Sequence, residues 1–295
     1  MTKRNYSMKE RSKDKNIQNW IDFWRSSKGV FDNKSDSEQA EFWDTRWGTT
    51  DTGISKHSKP RKKKKSMGEI FEMLEEVGFK IKGSRILDIG SGPGAAVIPF
   101  AEAGAKVTAL DISSKALDRL KSYTDKKGLD VKTITASWWT ADIDRLNLRN
   151  RFDLVFVTYS PAVKDVDGFD RMLACSRGFG FYGFFIQNHG YGPMIGSDVV
   201  QKVLKGAGPK NTSKKGSLFT NAFLYLYLKG CRPVVHIHDN KRKISMPWEE
   251  AADHTISSLE HFEPCTATVK RRIREYYKSS AVNGIYKENR SVYSG

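Results

Sequence analysis

The chain has 295 residues, 38% of them hydrophobic and 12% aromatic, and a formal net charge of +16. That length supports a sizeable core, while the longest apolar run, AFLYLYL (222–228), falls well short of the ~20 residues of a membrane-spanning helix. Cys175, Cys231 and Cys265 form no C-x-x-C pair, which excludes a disulfide framework and a cysteine zinc site.

In chain order, the opening stretch MTKRNYSMKERSKDKN lacks the apolar core of a secretory signal, so the expectation is a cytoplasmic protein with no membrane partner. Ile17, Trp20, Ile21 and Trp24 recur at helical intervals, and Phe42, Trp43 and Trp47 share one side of a second predicted helix. Residues 1–66 carry 17 Lys and Arg against 9 Asp and Glu, much of the surplus in KPRKKKK (59–65). This run reads either as a solvated linker that breaks the helical pattern or as a contact for nucleic acid or another anion. From Ser66 an amphipathic helix is predicted, with Ile70, Phe71, Leu74 and Val77 as its stripe and Gly78 as its stop.

Beyond it, short apolar runs alternate with helical patterns: SRILDIG, GAAVIPFAEAG, KVTALDIS, SKALDRLKSYTDKKG, VKTITAS, FDLVFVTY, DGFDRMLACSR and GFGFYGFFIQ. Such β–α alternation predicts a parallel sheet covered by helices on both faces. GSLFTNAFLYLYLKG reads as a helix and PVVHIHDNKRKISM as two strands joined at Asp239-Asn240. PWEEAADHTISSLEHF and TATVKRRIREYYKSS are then two terminal helices. The predicted organisation is an N-terminal extension over 1–65, a cofactor-binding domain over 66–246 and a helical extension over 247–295.

The densest chemical signal is ILDIGSGPG followed by VTALDIS. Glycines between a strand and a helix leave room for a ligand against the backbone. Asp111, ending the next strand, suits the vicinal hydroxyls of a ribose. Gly90-Ser91-Gly92-Pro93-Gly94-Ala95 also fits the dinucleotide pattern G-x-G-x-x-A. Asp88, two residues before the first glycine, opposes a pyrophosphate, and the later strands do not rebuild a second mononucleotide half. A cationic, phosphate-free adenosine derivative answers both objections.

ILDIGSGPG and VTALDIS resemble motif I and the acidic loop of the class I S-adenosylmethionine (SAM)-dependent methyltransferases, a likeness extending over residues 66–246. It implies an α/β fold with a doubly wound, seven-stranded, mostly parallel sheet in order 3-2-1-4-5-7-6, the last strand antiparallel, plus helical additions at both ends. It implies SAM as cofactor. Asp88, Gly90, Ser91, Gly92 and Gly94 would serve its methionine end, Asp111 its ribose, and Ile112, Ser137 and Trp138 its adenine, with Thr158 at the end of strand 4. The family's acid after strand 3 is replaced here by Ser137, with Asp142 as an alternative.

In-line methyl transfer requires alignment of an acceptor and, for some acceptors, removal of its proton. The segment after strand 4, TYSPAV, supplies Tyr159 and Ser160, and His189 after strand 5 is a candidate base. His236 and His238 share a strand face without a third metal ligand, so no metal site is expected. The basic stretch 189–217 suits an anionic acceptor. These features predict a SAM-dependent methyltransferase acting on a small molecule or a protein. An RNA methyltransferase and a non-catalytic binding module on the same fold are the alternatives.

Overall fold

The computed structural model describes residues 3–26, 35–49, 60–186, 199, 202–204, 218–260 and 265–295. The chain forms two compact units, one over 34–182 and one joining 1–33 to 183–295.

The first unit holds α2 (Asp36–Thr49), α3 (Pro60–Glu76), β1 (Arg85–Ile89), α4 (Val97–Glu102), β2 (Lys106–Asp111), α5 (Ser114–Lys127), β3 (Val131–Thr135), β4 (Phe152–Thr158), α6 (Val166–Cys175) and nearly all of β5 (Ser176–Gly183). Its strands lie in the order β3-β2-β1-β4-β5. The β1–β2, β1–β4 and β2–β3 pairs are parallel, with Asp88 opposite Ala109 and Phe156, and Asp111 opposite Thr135. Apolar runs such as Leu154 to Val157 are buried because a central parallel strand has no solvent face. Ile86, Phe100, Val107, Leu120 and Phe156 anchor one core cluster, against which Ile70, Phe71 and Leu74 of α3 pack. Helix starts follow side-chain chemistry: the Ser113 hydroxyl accepts from Ala116 N at 3.2 Å, and Asp165 accepts from Gly168 N at 2.7 Å.

Two expectations for this region change. Helix α3 begins at Pro60 and not at Ser66, so the basic run is helical where a linker was one expectation. Val77 lies beyond the helix and is exposed, leaving the apolar stripe to end at Leu74.

The second unit contains α1 (Lys3–Ser26), α7 (Leu218–Leu228), β6 (His238–Pro247), α8 (Trp248–Glu260), α9 (Ala267–Ser280) and β7 (Ile285–Ser294). Trp20 donates its indole N–H to Asn221 O at 3.1 Å, and buried Trp24 meets Tyr225 edge-on. Val199, Ala252, Ile256, Ile273 and Tyr286 belong to its core, and Thr255 and Tyr277 share a hydroxyl hydrogen bond of 2.7 Å.

The α/β class and the order 3-2-1-4-5 agree with the sequence, but the seven strands divide into a five-stranded and a two-stranded sheet. The expected hairpin at Asp239-Asn240 does not form. Residues 238–247 are one continuous strand, paired antiparallel with 285–294, a segment not expected to be extended. The Asn-Gly turn chemistry instead operates at Asn283-Gly284, where both residues have positive φ between bridged Val282 and Ile285. Directly after β5, residues 184–186 pair antiparallel with the end of β7 through Phe184 N to Gly295 O and Ile186 N to Tyr293 O, at 2.8 and 2.9 Å. Among the described residues, no helix is long and apolar enough to cross a membrane.

Candidate cofactor site

The glycine turn after β1 forms the floor of a cleft within the 34–182 unit. Gly90 has φ +68° and lies so close to the β4 end that an added Cβ would sit 1.9 Å from Ser160 Oγ. Gly94, at φ +93°, lets α4 approach α5; a Cβ there would meet Leu120 Cδ1 at 2.4 Å. The turn therefore requires glycine both for its backbone conformation and for close packing.

Asp111 stands at one wall, 8% exposed. Its Oδ2 accepts from Gly92 N at 2.7 Å and its Oδ1 from Ser113 N at 2.8 Å. Burial raises its pKa against the lowering effect of those amides, and neighbouring Asp44 raises it further. The carboxylate keeps lone-pair capacity beyond these amides, which suits a ribose hydroxyl.

Ile112, Ala136, Ser137 and Trp138 continue that wall. Trp138 is 2% exposed and donates its indole N–H to Gly168 O at 3.0 Å, so its ring is mostly core. Ser137 Oγ accepts from Trp139 N at 3.3 Å. Asp142 is not on the wall; its Oδ1 holds the amides of Asp144 and Arg145. The far side is Tyr159, Ser160, Pro161 and Trp139, whose indole N–H donates to Pro161 O at 3.2 Å and whose ring carries Lys164 Nζ at 4.5 Å. Tyr159 adopts φ +49°, a strained conformation for a bulky side chain, and is half exposed.

Helix α2 supplies the remaining wall through Trp43 and Trp47, with Trp47 Cζ2 3.4 Å from the Cβ position of Gly92. Asp44 fastens this helix to the start of α5. It accepts from Ser113 Oγ at 2.6 Å, Lys115 N at 3.1 Å and Ser114 Oγ at 3.2 Å. Burial works against the charge on Asp44, but these donors prevail and hold its carboxyl below the ordinary range.

Of the expected cofactor residues, Gly90, Gly92, Asp111, Ile112, Ser137 and Trp138 converge on the cleft, as does Tyr159 from the acceptor side. Asp88, Ser91, Gly94 and Thr158 do not line it. Asp88 is 3% exposed, and burial, reinforced by the charge of Asp111, pushes its carboxyl up to about 8. His189 and most of the basic stretch 189–217 lie outside the described residues. Cys175 is core, its thiol pushed up to about 12 by burial. Among the described residues, no group of three His, Cys, Asp or Glu could hold a metal. The sequence singles out FWDTRW as a segment but not Asp44 within it; the available signal was its place between Trp43 and Trp47, one helical turn apart.

A parallel α/β sheet with a glycine turn after β1 and an acid ending β2 defines an adenosine-cofactor site at the carboxyl ends of the strands. Among the described residues that line it there is no Lys or Arg, and its walls are largely aromatic and apolar around one carboxylate; this donor set fits SAM. Residues 86–179 match the family model described as "Methyltransferase domain". Over residues 86–179 the chain is thus similar to the methyltransferase-domain family. An uncharacterized protein of Haemophilus influenzae is 37% identical over 82 residues, covering 28% of this chain and 30% of that protein. The match therefore spans under a third of the curated relative's length. Among solved structures, coclaurine N-methyltransferase bound to N-methylheliamine and SAH is similar at 15% identity and TM-score 0.48, covering 96% of this chain and 87% of that one. Magnesium protoporphyrin IX methyltransferase from Synechocystis PCC 6803 with bound SAH is similar at 14% identity and TM-score 0.47, covering 71% and 92%.

Proposed function

We propose that this protein transfers the methyl group of SAM to a small-molecule or protein acceptor of anionic character. The carrying observation is the placement of Asp111 beside the glycine turn, at the mouth of an aromatic cleft. When bound, SAM supplies a sulfonium-activated methyl group that needs only an aligned nucleophile.

The chain's residues divide the remaining work. Asp111 accepts the ribose hydroxyls, Ile112 and Ala136 give the adenine an apolar surface, and the glycine turn admits the methionine portion. Trp43, Trp47 and Trp139 exclude water from the transfer path. Tyr159, pushed into the cleft mouth from a strained backbone, orients the acceptor. Lys164, seated over the Trp139 ring, supports recognition of a negatively charged acceptor at that rim.

Incubation of the full chain with methyl-labelled SAM and a fractionated cell extract tests the proposal. Label in the metabolite or protein fraction is expected. Label in the RNA fraction would replace the acceptor class with RNA, and binding of SAM without turnover on any fraction would favour a non-catalytic module.

A further inference from the structure

We propose that the exposed face of the β6–β7 ribbon, with the apolar stretch that leads into it, is a docking surface for a bilayer of anionic lipid.

The two faces of the ribbon differ in what they meet. One covers a core: Ile244 and Met246 of β6 and Tyr286 of β7 pack with Ala252 and Ile256 of α8 and Ile273 and Tyr277 of α9. Alternation along the strands turns the other set of side chains away from that core. On β6 this set includes Asp239, Lys241, Lys243 and Ser245, and on β7 Lys287, Asn289 and Ser291, all exposed. The register sets Lys241 opposite Ser291, Lys243 opposite Asn289 and Ser245 opposite Lys287, so three lysines share one face across both strands.

Other cations of this unit are paired. On the core side Arg290 holds Glu288 at 2.6 Å, and on the helices Lys270 meets Glu260 at 2.5 Å and Arg274 meets Asp253 at 2.9 Å. On the outer face Asp239 lies 4.0 Å from Lys241, at the far limit of an ion pair. Among the described residues, Lys243 and Lys287 have no carboxylate partner.

A cationic polar face alone suits any polyanion. The chain just before it selects lipid. Val234, Val235 and Ile237 are 48%, 37% and 63% exposed, three aliphatic side chains within four residues. Ile237 lies two positions before Asp239, at the end of the lysine-bearing face. A nucleic-acid phosphate backbone offers such side chains nothing. The boundary between headgroups and acyl chains takes up apolar groups while neighbouring lysines meet anionic headgroups. Docking of this kind lies on the bilayer and needs no spanning helix. It runs against the expectation of no membrane partner, which rested on the shortness of the apolar runs. It is independent of the cofactor reading, since no residue of the cleft takes part.

Co-sedimentation of the full chain with vesicles tests the proposal, using phosphatidylcholine alone and phosphatidylcholine with roughly one-third phosphatidylserine. Wild type should bind the anionic vesicles, leave the neutral ones, and dissociate as salt rises. Lys241→Gln/Lys243→Gln/Lys287→Gln should bind roughly tenfold or more weakly. Val235→Ser/Ile237→Ser should lose roughly threefold or more and keep its salt dependence. All five positions are exposed, so both variants should unfold as wild type does, and either one serves as the test should the other misfold. No binding by wild type, equal binding to neutral vesicles, or undiminished binding by the lysine variant overturns the surface. Undiminished binding by the serine variant overturns lipid as its occupant; lysine-dependent binding of a duplex RNA probe would then make the face a nucleic-acid contact.

Discussion

Ser113 joins Asp44 to Asp111: its hydroxyl donates to Asp44 Oδ1 at 2.6 Å while its backbone N–H donates to Asp111 Oδ1 at 2.8 Å. A residue of α2 and the acid ending β2 thus hold the same serine, and the position of the helix becomes part of the site. Replacing Asp44 by Ala removes three hydrogen bonds from one carboxylate. The expected cost is about 1.5–3 kcal/mol, the range for bonds to a charged acceptor, measured by urea unfolding. Because Trp43 and Trp47 ride on α2, their fluorescence should redden in the folded variant. An unfolding curve and spectrum matching wild type would mean that α2 is held by other contacts.

Asp111 carries the ribose assignment, and its removal gives the most direct cofactor test. Asp111→Ala should weaken SAM binding by about 1.5–3 kcal/mol, roughly 10–150-fold in Kd. Because Gly92 N and Ser113 N also lose their acceptor, the effect should include a loss of stability. Asp111→Asn, which still offers one carbonyl oxygen, separates the two: it should restore part of the stability and less of the affinity. Wild-type affinity in both variants would place the ribose elsewhere.

How much of this was legible in advance depends on sequence distance. The glycine turn and Asp111 are local signals, since a strand, three glycines and a second strand fix their own geometry within 30 residues. The partnership of Asp44 with Ser113 spans 69 residues and has no period or motif to announce it. The pairing of β6 with β7 was hidden for a related reason. HIHDNKRKISM offers its own Asp-Asn turn signal, and only the tertiary pairing with Ile285–Ser294 reveals a continuous strand. The basic run looked like a break because its composition is unlike that of the apolar stripe following it. Yet lysine and arginine are good helix formers, and α3 extends back through them.

Gly90→Ala combines a strained φ of +68° with a Cβ 1.9 Å from Ser160 Oγ and 2.8 Å from Ser160 Cβ. The backbone strain alone should cost about 1–3 kcal/mol, and the clash adds to it. In the double variant with Ser160→Gly the clash is relieved and the φ strain persists, so stability should recover in part. Full recovery would show that φ at residue 90 is not constrained.

Burial, with the Asp111 charge adding to it, pushes Asp88 up from 3.8 to about 8. Between those two values the folded protein keeps a proton that the unfolded chain has released, so stability declines as pH rises across the window. Carboxyls held below their ordinary range, such as Asp44 and Asp153, act in the opposite sense and mainly below about pH 4. Between pH 5 and 9 the unfolding free energy of wild type should therefore drop more than that of Asp88→Asn, which has no proton to lose. Parallel profiles for the two proteins would contradict the elevated pKa.

Tyr159 should show a trade between stability and turnover. Its φ of +49° costs a bulky residue free energy, and its half-exposed ring recovers little of that by burial. Asparagine tolerates the left-handed region, so Tyr159→Asn should fold at least as stably as wild type. If the strain exists to hold an aromatic wall at the acceptor mouth, turnover with the acceptor should fall roughly tenfold or more while SAM affinity changes little. Tyr159→Phe keeps the wall and removes the hydroxyl. Activity near wild type in the phenylalanine variant would assign the role to the ring, and a loss equal to that of asparagine would assign it to the hydroxyl. Undiminished turnover in both variants would leave the strain without a catalytic purpose and move acceptor positioning to the Pro161–Lys164 side of the cleft.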